Sequence, residues 1–446
     1  MPITARELTL NIIMEVHQNK SYVNFLLPEK LEKSQLSKLD RALTTELVCG
    51  VLRMEGTIDW ILSQFSSRKI DKILPEVLDI LRIGIYQLIY LNKIPPHAVI
   101  DESVKLAKKN FHQGVANFVN GILRTINREK NKIVYPRKED NLIDYISVKY
   151  SHPKWLVQKW ISELGPEETE DLCKANNVRP KLKLRTNLIK ITPDKLANLL
   201  KKRGIITTSG SFLDECLMVV EGFNLASLRE FKEGFFFIQG ESSMLVSRIV
   251  NPKAGDTILD ICAAPGGKTT HLAEIMKNQG QIIAVDLHRN RLKLLEDSCK
   301  RMGIKIAVPV QADATKLGET INKPVDKVLL DAPCSGLGTL AKRPDARWQK
   351  SLRQIKELAV LQQKLLKSAS SFVKCGGSLV YSVCTISKEE TIDTINFFLH
   401  EHPEFKLEDI NSQLPLSLKS KNKWLQLLPN EHQTDGMFIA GLIRTE

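Results

Sequence analysis

"TILDICAAPGGKTTHLAEIM", residues 257–276, changes character twice within a single short stretch. Ile258 to Cys262 is an apolar run suited to a buried strand. Ala263 to Gly267 is a tight turn of small residues, and from Lys268 the apolar spacing becomes that of an amphipathic helix. Strand, glycine turn and helix in that order predict a parallel α/β sheet. Gly266 and Gly267 let backbone approach a ligand closely, and the helix N-terminus offers unpaired N–H groups.

The pattern repeats downstream. "QIIAVDLHRNR" is a second strand, ending in Asp286, twenty residues after Gly266, an offset that suits a ribose hydroxyl pair. "VPVQAD" ends near Asp313, "KVLLDAP" in Asp331 and "GSLVYSVC" in Cys384. In an open α/β sheet the ligand sits beyond the carboxyl ends of the strands, where these residues would collect. Each aspartate alone reads equally well as a helix cap or turn residue. Four positioned elements in series do not.

Three ligand classes compete for that crevice. A phosphate-binding loop around "GGKTT" would need glycine where Cys262 stands, and Pro265 occupies the loop. A dinucleotide fingerprint needs G-x-G-x-x-G, and only adjacent glycines are present. A nucleoside without a pyrophosphate remains. S-adenosylmethionine fits, with its adenosine held by two acids and its charged amino-acid end over the loop.

Upstream, residues 1–130 carry apolar residues at three- and four-residue spacing in phrases such as "ARELTLNIIMEV" and "LPEVLDILRIGIYQLIYL", with a break at Pro95-Pro96. An all-α domain is expected there. Residues 131–240 mix short helical phrases with strand-like ones and predict a small α+β connector, and 241–446 form the α/β domain. Residues 174–203 hold ten basic residues against one acid, Asp194. Within "RPKLKLRTN" strict alternation puts Lys181, Lys183 and Arg185 on one strand face, about 7 Å apart, a spacing that would track phosphates. A solvated strand face reads as well.

The 446 residues are 43% apolar and 26% charged, as in ordinary globular proteins, and the formal charge of +13 suggests a polyanionic partner. No apolar run is long enough to span a membrane, and the N-terminus does not read as a signal peptide. Eight cysteines without C-x-x-C spacing indicate neither a disulfide scaffold nor a zinc knuckle, so a reducing cytoplasm is expected and no metal. A site joining Cys262, Cys334 and Cys384 around a metal has no histidine or paired spacing to support it. Cys49, Cys173, Cys216, Cys299 and Cys375 have no motif around them and read as packing residues.

"CAAPGGKT" (262–269), "DAPCSGLG" (331–338) with "RPDARW" (343–348), and "YSVCTIS" (381–387) resemble the signature motifs of RNA 5-methylcytosine methyltransferases. The helical N-terminus is similar to the antitermination factor NusB, which points to the branch of ribosomal RNA small-subunit methyltransferase B, the Sun/Fmu family. The resemblance covers essentially the whole chain. It implies a Rossmann-like class I methyltransferase domain, preceded by an all-α NusB-like RNA-binding domain and the α+β connector. It also implies S-adenosylmethionine as cofactor, small-subunit (16S) ribosomal RNA as substrate, a cytoplasmic location and a monomer. One departure is Val383, where the family usually has Thr.

Cytosine C5 is too weak a nucleophile to take a methyl group directly, and a thiolate added at C6 activates it. By resemblance Cys384 attacks and Cys334 helps release the product. DNA cytosine methyltransferases use the Pro-Cys thiol for attack, and the residues alone leave that choice open. Asp331 would hold the cytosine's exocyclic amine or N3 and could also touch the cofactor. The resemblance assigns Cys262, Ala263, Ala264, Pro265, Gly266, Gly267 and Lys268 to the methionine end of the cofactor, Asp286 to the ribose, Asp313 to the region of the adenine and Asp331 to the far side. Arg291 is either a further cofactor contact or a helical surface residue. RNA would run along Lys181, Lys183 and Arg185 and meet Arg343, Arg347 and Trp348, whose alternative is a loop salt-bridge cluster. Two rival readings are a transfer RNA methyltransferase with the same chemistry and an RNA-binding assembly factor without catalysis.

Overall fold

Thr4 opens the first helix with a capping box: its hydroxyl accepts from Glu7 N–H and the Glu7 carboxylate accepts from Thr4 N–H. The computed structural model describes residues 3–221, 225–419 and 421–446, and the chain divides into two units, Met1–Val178 with Leu340–Gln349, and Arg179–Thr339 with Lys350–Glu446.

The first unit is helical, as its apolar spacing predicts. Helices Ala5–Asn19, Val23–Lys33, Lys38–Phe65, Pro75–Tyr90, Pro96–Asn110 and Gln113–Glu129 turn Ile12, Leu47, Ile58, Ile80, Val99 and Val119 into one buried core. Pro75 and Pro96 occupy first helical positions, where a missing N–H costs nothing. Helices Leu142–Lys149, Lys154–Leu164 and Pro166–Ala175 belong to this unit as well. The Thr57 hydroxyl donates to Val148 C=O (2.5 Å) and the Ser151 hydroxyl accepts from Gly56 N–H (3.0 Å). The division therefore falls at Val178, inside the stretch expected to be one connector, 131–240.

The second unit holds two sheets. The smaller takes the order β2-β3-β1-β4 from β1 (Lys183–Thr186), β2 (Ile206–Ser209), β3 (Cys216–Glu221) and β4 (Phe236–Ile238). The larger contains β5 (Thr257–Ile261), β6 (Gln281–Asp286), β7 (Ala307–Gln311), β8 (Val325–Asp331), β9 (Val373–Val383), β10 (Phe405–Leu407), β11 (Trp424–Leu427) and β12 (Met437–Arg444). Its order is β10-β12-β9-β8-β5-β6-β7, with β11 paired to β12. Strands β5 to β9 pair in parallel and β12 runs antiparallel to β9.

Strand β5 is flanked by β6 on one side and β8 on the other, so the chain reverses its direction of travel across the sheet there. Such a switch point opens a crevice at the carboxyl ends of the strands. Helices cover both faces. Leu245, Leu272 and Leu295 pack on one, with Ile258, and Leu365 and Ile395 on the other, with Leu259 and Ile261. The α/β class, the all-α first region and the sheet-bearing connector are those the sequence predicts.

Candidate active site

Strands β8 and β9 end side by side. Their last rungs pair Asp331 with Ser382, and Ala332 N–H donates to Ser382 C=O. Asp331 Oδ1 accepts from the Ser382 hydroxyl (2.8 Å), and Lys268 Nζ, from the first turn of the helix after β5, stands 2.5 Å from Asp331 Oδ2. Just beyond these rungs lie the two cysteines. Cys334 Sγ and Cys384 Sγ are 3.3 Å apart, with no disulfide between them. The hydrogen bond with Cys384, burial and the nearby Glu390 carboxylate all push the Cys334 thiol well above its ordinary range, which favours its protonated form.

The turn after β5 begins at Cys262, a non-glycine residue in the left-handed region at φ 62°, and Gly266 follows at φ 97°. A side chain at the first position costs about 1–2 kcal/mol of backbone strain. Burial and the surrounding carboxylates raise the Cys262 thiol to about 12, which makes it a packing residue rather than a reactive one. Asp286, at the end of β6, is nearly buried. Its two oxygens accept from Ala264 N–H and His288 N–H (both 3.2 Å), and Arg291 lies 3.5 Å away. Arg291 also donates to Ala264 C=O (2.6 Å), so it braces the small-residue turn against Asp286. Asp313 is exposed just beyond β7. It caps the turn Ala314–Glu319 by accepting from Thr315 N–H and hydroxyl, which holds its carboxyl below the usual range.

Asp260, the next-to-last residue of β5, escaped the sequence reading. It is fully buried, its Oδ2 accepts from the Thr269 hydroxyl (2.6 Å), and its Oδ1 has no hydrogen-bond partner. Burial raises its pKa to about 7. A charged residue inside an otherwise apolar strand was the signal. Ser382 and Glu390, both within hydrogen-bonding reach of the site's loops, were missed for want of any motif weight.

Residues 247–443 match the family described as 16S rRNA methyltransferase RsmB/F, residues 3–128 match the NusB family, and residues 152–226 match the ferredoxin-like domain of RsmF/B-like methyltransferases. A "Probable ribosomal RNA small subunit methyltransferase B" from Bacillus subtilis is 38% identical over 98% of both chains. The chain belongs to the ribosomal RNA small subunit methyltransferase B family. The namesake from Klebsiella pneumoniae is 33% identical, over 99% of this chain and 98% of its own. Among solved structures, that of PH0851 superposes with a TM-score of 0.84 at 30% identity over all of both chains. That of NSun6 from Pyrococcus horikoshii with SFG does so at 0.60 and 28% identity, covering 66% of this chain and 98% of that one. The family's all-α NusB domain, ferredoxin-like connector and Rossmann-like methyltransferase domain are all present.

The sequence-predicted RNA residues of this family member need correction. Lys183 and Arg185 do share one face of β1, but that face is buried. Lys183 Nζ pairs with Glu241 (2.8 Å), and Arg185 pairs with Glu274 (2.8 Å), the Thr270 hydroxyl (2.8 Å), Gly267 C=O (2.5 Å) and Gln239. Both are internal ions with dedicated counter-charges, and only Lys181 of the three is exposed. Arg347 is likewise fully buried in the helical unit, donating to Ser151 C=O and the Asn177 side chain (both 2.9 Å). Trp348 Nε1–H is committed to Leu52 C=O (2.9 Å), and its half-buried ring lies where a Cβ on Gly56 would fall 2.7 Å from it. Arg343 is half-buried. The cluster 343–348 holds the helical unit together and is withdrawn as an RNA platform at Arg347 and Trp348. Val383 is buried in the apolar core beside β12, an environment that gives a hydroxyl no evident use.

Proposed function

We propose that this chain transfers a methyl group from S-adenosylmethionine to C5 of a cytosine in small-subunit (16S) ribosomal RNA, with Cys384 as the attacking thiol and Cys334 as the release thiol. The observation that carries the reading is the 3.3 Å Sγ–Sγ approach directly beyond the β8–β9 rungs, with Asp331 at the same strand end. The donor set suits the cofactor. Small residues 263–267 leave room for its methionine end, the Asp286 and Asp331 carboxylates suit hydroxyl and amine donors, and the unpartnered Asp260 Oδ1 sits behind the same turn. The cofactor supplies an electrophilic methyl group on a sulfonium.

The protein's part follows from the side chains. Cys384 Sγ bonds to C6, and C5 becomes nucleophilic enough to take the methyl group. Asp331 accepts from the exocyclic amine and orients the ring. Solvent water takes the C5 proton, the electron pair of that C–H bond re-forms C5=C6, and the C6–S bond breaks to release the Cys384 thiolate. Cys334, kept protonated, offers its S–H to the departing sulfur 3.3 Å away. The target base must leave its stack to meet these thiols, at a cost of about a few kcal/mol. A cytoplasmic location follows from that substrate. Among the described residues no helix is long and apolar enough to cross a membrane.

The reading is tested by incubating the protein with methyl-labelled cofactor and unmethylated small-subunit ribosomal RNA or transfer RNA, then digesting to nucleosides. Label in 5-methylcytidine from ribosomal RNA supports it. Label in transfer RNA alone transfers the chemistry to that substrate, and no label in either removes catalysis from the account.

A further inference from the structure

The parallel ladder between β8 and β9 ends at the Asp331–Ser382 rung, with two residues intervening before Cys334 and one before Cys384, so something else must fix their spacing. Cys334 is followed by Ser335 and Cys384 by Thr385, and both hydroxyl residues turn away from the crevice onto one carboxylate. Glu390 ends the turn Lys388–Glu390. Its Oε1 accepts from Ser335 N–H (2.7 Å) and Gln362 Nε2 (3.1 Å), and its Oε2 from the Ser335 hydroxyl (2.5 Å) and the Thr385 hydroxyl (3.1 Å). The two hydroxyls also meet each other at 2.8 Å. Beyond the ladder, Gly338 N–H also donates to Cys384 C=O (3.1 Å).

A carboxylate taken out of water is costly unless several donors surround it. Here Ser335, Gln362, Thr385 and Glu390 are all nearly or fully buried. Two of the three donor residues are the immediate neighbours of the thiols. The Tyr381 hydroxyl, from within β9, donates to Glu390 C=O (2.7 Å) and fixes the turn that presents the carboxylate.

We infer that Glu390 is a positioning residue that sets the spacing of Cys334 and Cys384 by clamping Ser335 and Thr385. Its consequence for catalysis rests on the reading that Cys384 attacks and Cys334 releases. The clamp itself does not, and the two are tested separately.

The clamp is read without RNA or cofactor. Diamide takes two hydrogens from a pair of thiols and leaves one S–S bond, its azo group becoming a hydrazine. The rate at which the Cys334–Cys384 disulfide appears, followed by mass spectrometry of the digested chain, reports their proximity. Glu390→Ala is expected to slow it about tenfold, since an ångström-scale displacement of reacting atoms has effects of that order or larger. Glu390→Gln is expected to stay within about threefold of wild type, because its carbonyl can serve Ser335 N–H while hydroxyl groups reverse to accept from its amide. Both variants lack the charge, so the contrast isolates geometry. A wild-type rate in Glu390→Ala, or equal slowing in both, overturns the inference. If Glu390→Ala does not fold, Thr385→Val replaces it. Slowing of about threefold is then expected from losing one bond, and a wild-type rate overturns the inference.

The catalytic consequence is read with labelled cofactor and RNA. Glu390→Ala is expected to accumulate a denaturation-resistant protein–RNA adduct, and Glu390→Gln is not. A merely destabilised protein would lose attack and release together and leave no adduct, which would overturn the catalytic role. If wild type methylates neither RNA, the function reading fails while the disulfide rates still decide the clamp.

Discussion

Lys268 Nζ and Asp331 Oδ2 stand 2.5 Å apart, joining the start of the helix after β5 to the end of β8 across the switch point of the sheet. The pair places a cation and an anion at the mouth of the crevice, the anion a third exposed. The pair is partly buried, the lysine side chain being only 11% exposed, so its loss costs more than the roughly 1 kcal/mol or less of a surface pair. Asp331→Ala is expected to lower the melting temperature modestly while lowering methyl transfer roughly a hundredfold, the usual scale for a lost polar contact to the reacting group. Parallel melting and turnover measurements check this, and a large drop in melting temperature with normal turnover would make Asp331 structural.

Arg185 and Lys181 are expected to separate folding from RNA contact. Arg185→Ala strands the Glu274 carboxylate in the interior and is expected to cost about 3–5 kcal/mol, the range for breaking a buried pair. Lys181→Ala removes an exposed cation and is expected to leave stability within about 0.5 kcal/mol. If Lys181 touches a phosphate, its loss reduces the salt dependence of RNA binding by about one ion. Denaturant melts and binding titrations over a salt series distinguish the two residues.

That difference shows what sequence could and could not reveal. Alternation in "KLKLR" correctly put Lys183 and Arg185 on one face of a strand, because side chains alternate whatever covers them. What covers them lies 58 and 89 residues further on, in Glu241 and Glu274, and no local pattern carries that information. The strand–turn–helix at 257–276 was legible because its periodicity and glycines are local. The meeting of Cys334 and Cys384 followed from both sitting at carboxyl ends of parallel strands. Arg347 was misread because a loop's composition does not say that Ser151, Asn176 and Asn177 will supply the acceptors that bury it.

Asp260 makes a pH prediction in the second unit. Burial raises its pKa from the ordinary carboxyl value to about 7, so the folded chain holds a proton the unfolded chain has released. The stability associated with that proton is fully present below about pH 4 and is lost as pH rises through 7. Asp260→Asn keeps an acceptor for Thr269 and removes the titration. It is expected to flatten the decline in stability between pH 5 and 8, measured by hydrogen exchange in β5.

His17 makes a second one in the helical unit. Burial alone would lower its pKa, but hydrogen bonds to Asp79 and Glu55 outweigh burial and raise it to about 9. Its contribution is complete below the ordinary histidine value near 6.5 and disappears as pH passes 9, a loss of roughly 3 kcal/mol. Hydrogen exchange along Ala5–Asn19 is expected to accelerate over that window in wild type and to be independent of it in His17→Gln.

The central claim concerns which sulfur carries the cytosine. Wild type, Cys334→Ala and Cys384→Ala would each be incubated with methyl-labelled cofactor and unmethylated small-subunit ribosomal RNA, then separated on denaturing gels. A labelled, nuclease-sensitive adduct in Cys334→Ala and none in Cys384→Ala is the expected result. An adduct in Cys384→Ala alone would reverse the two roles and contradict the account.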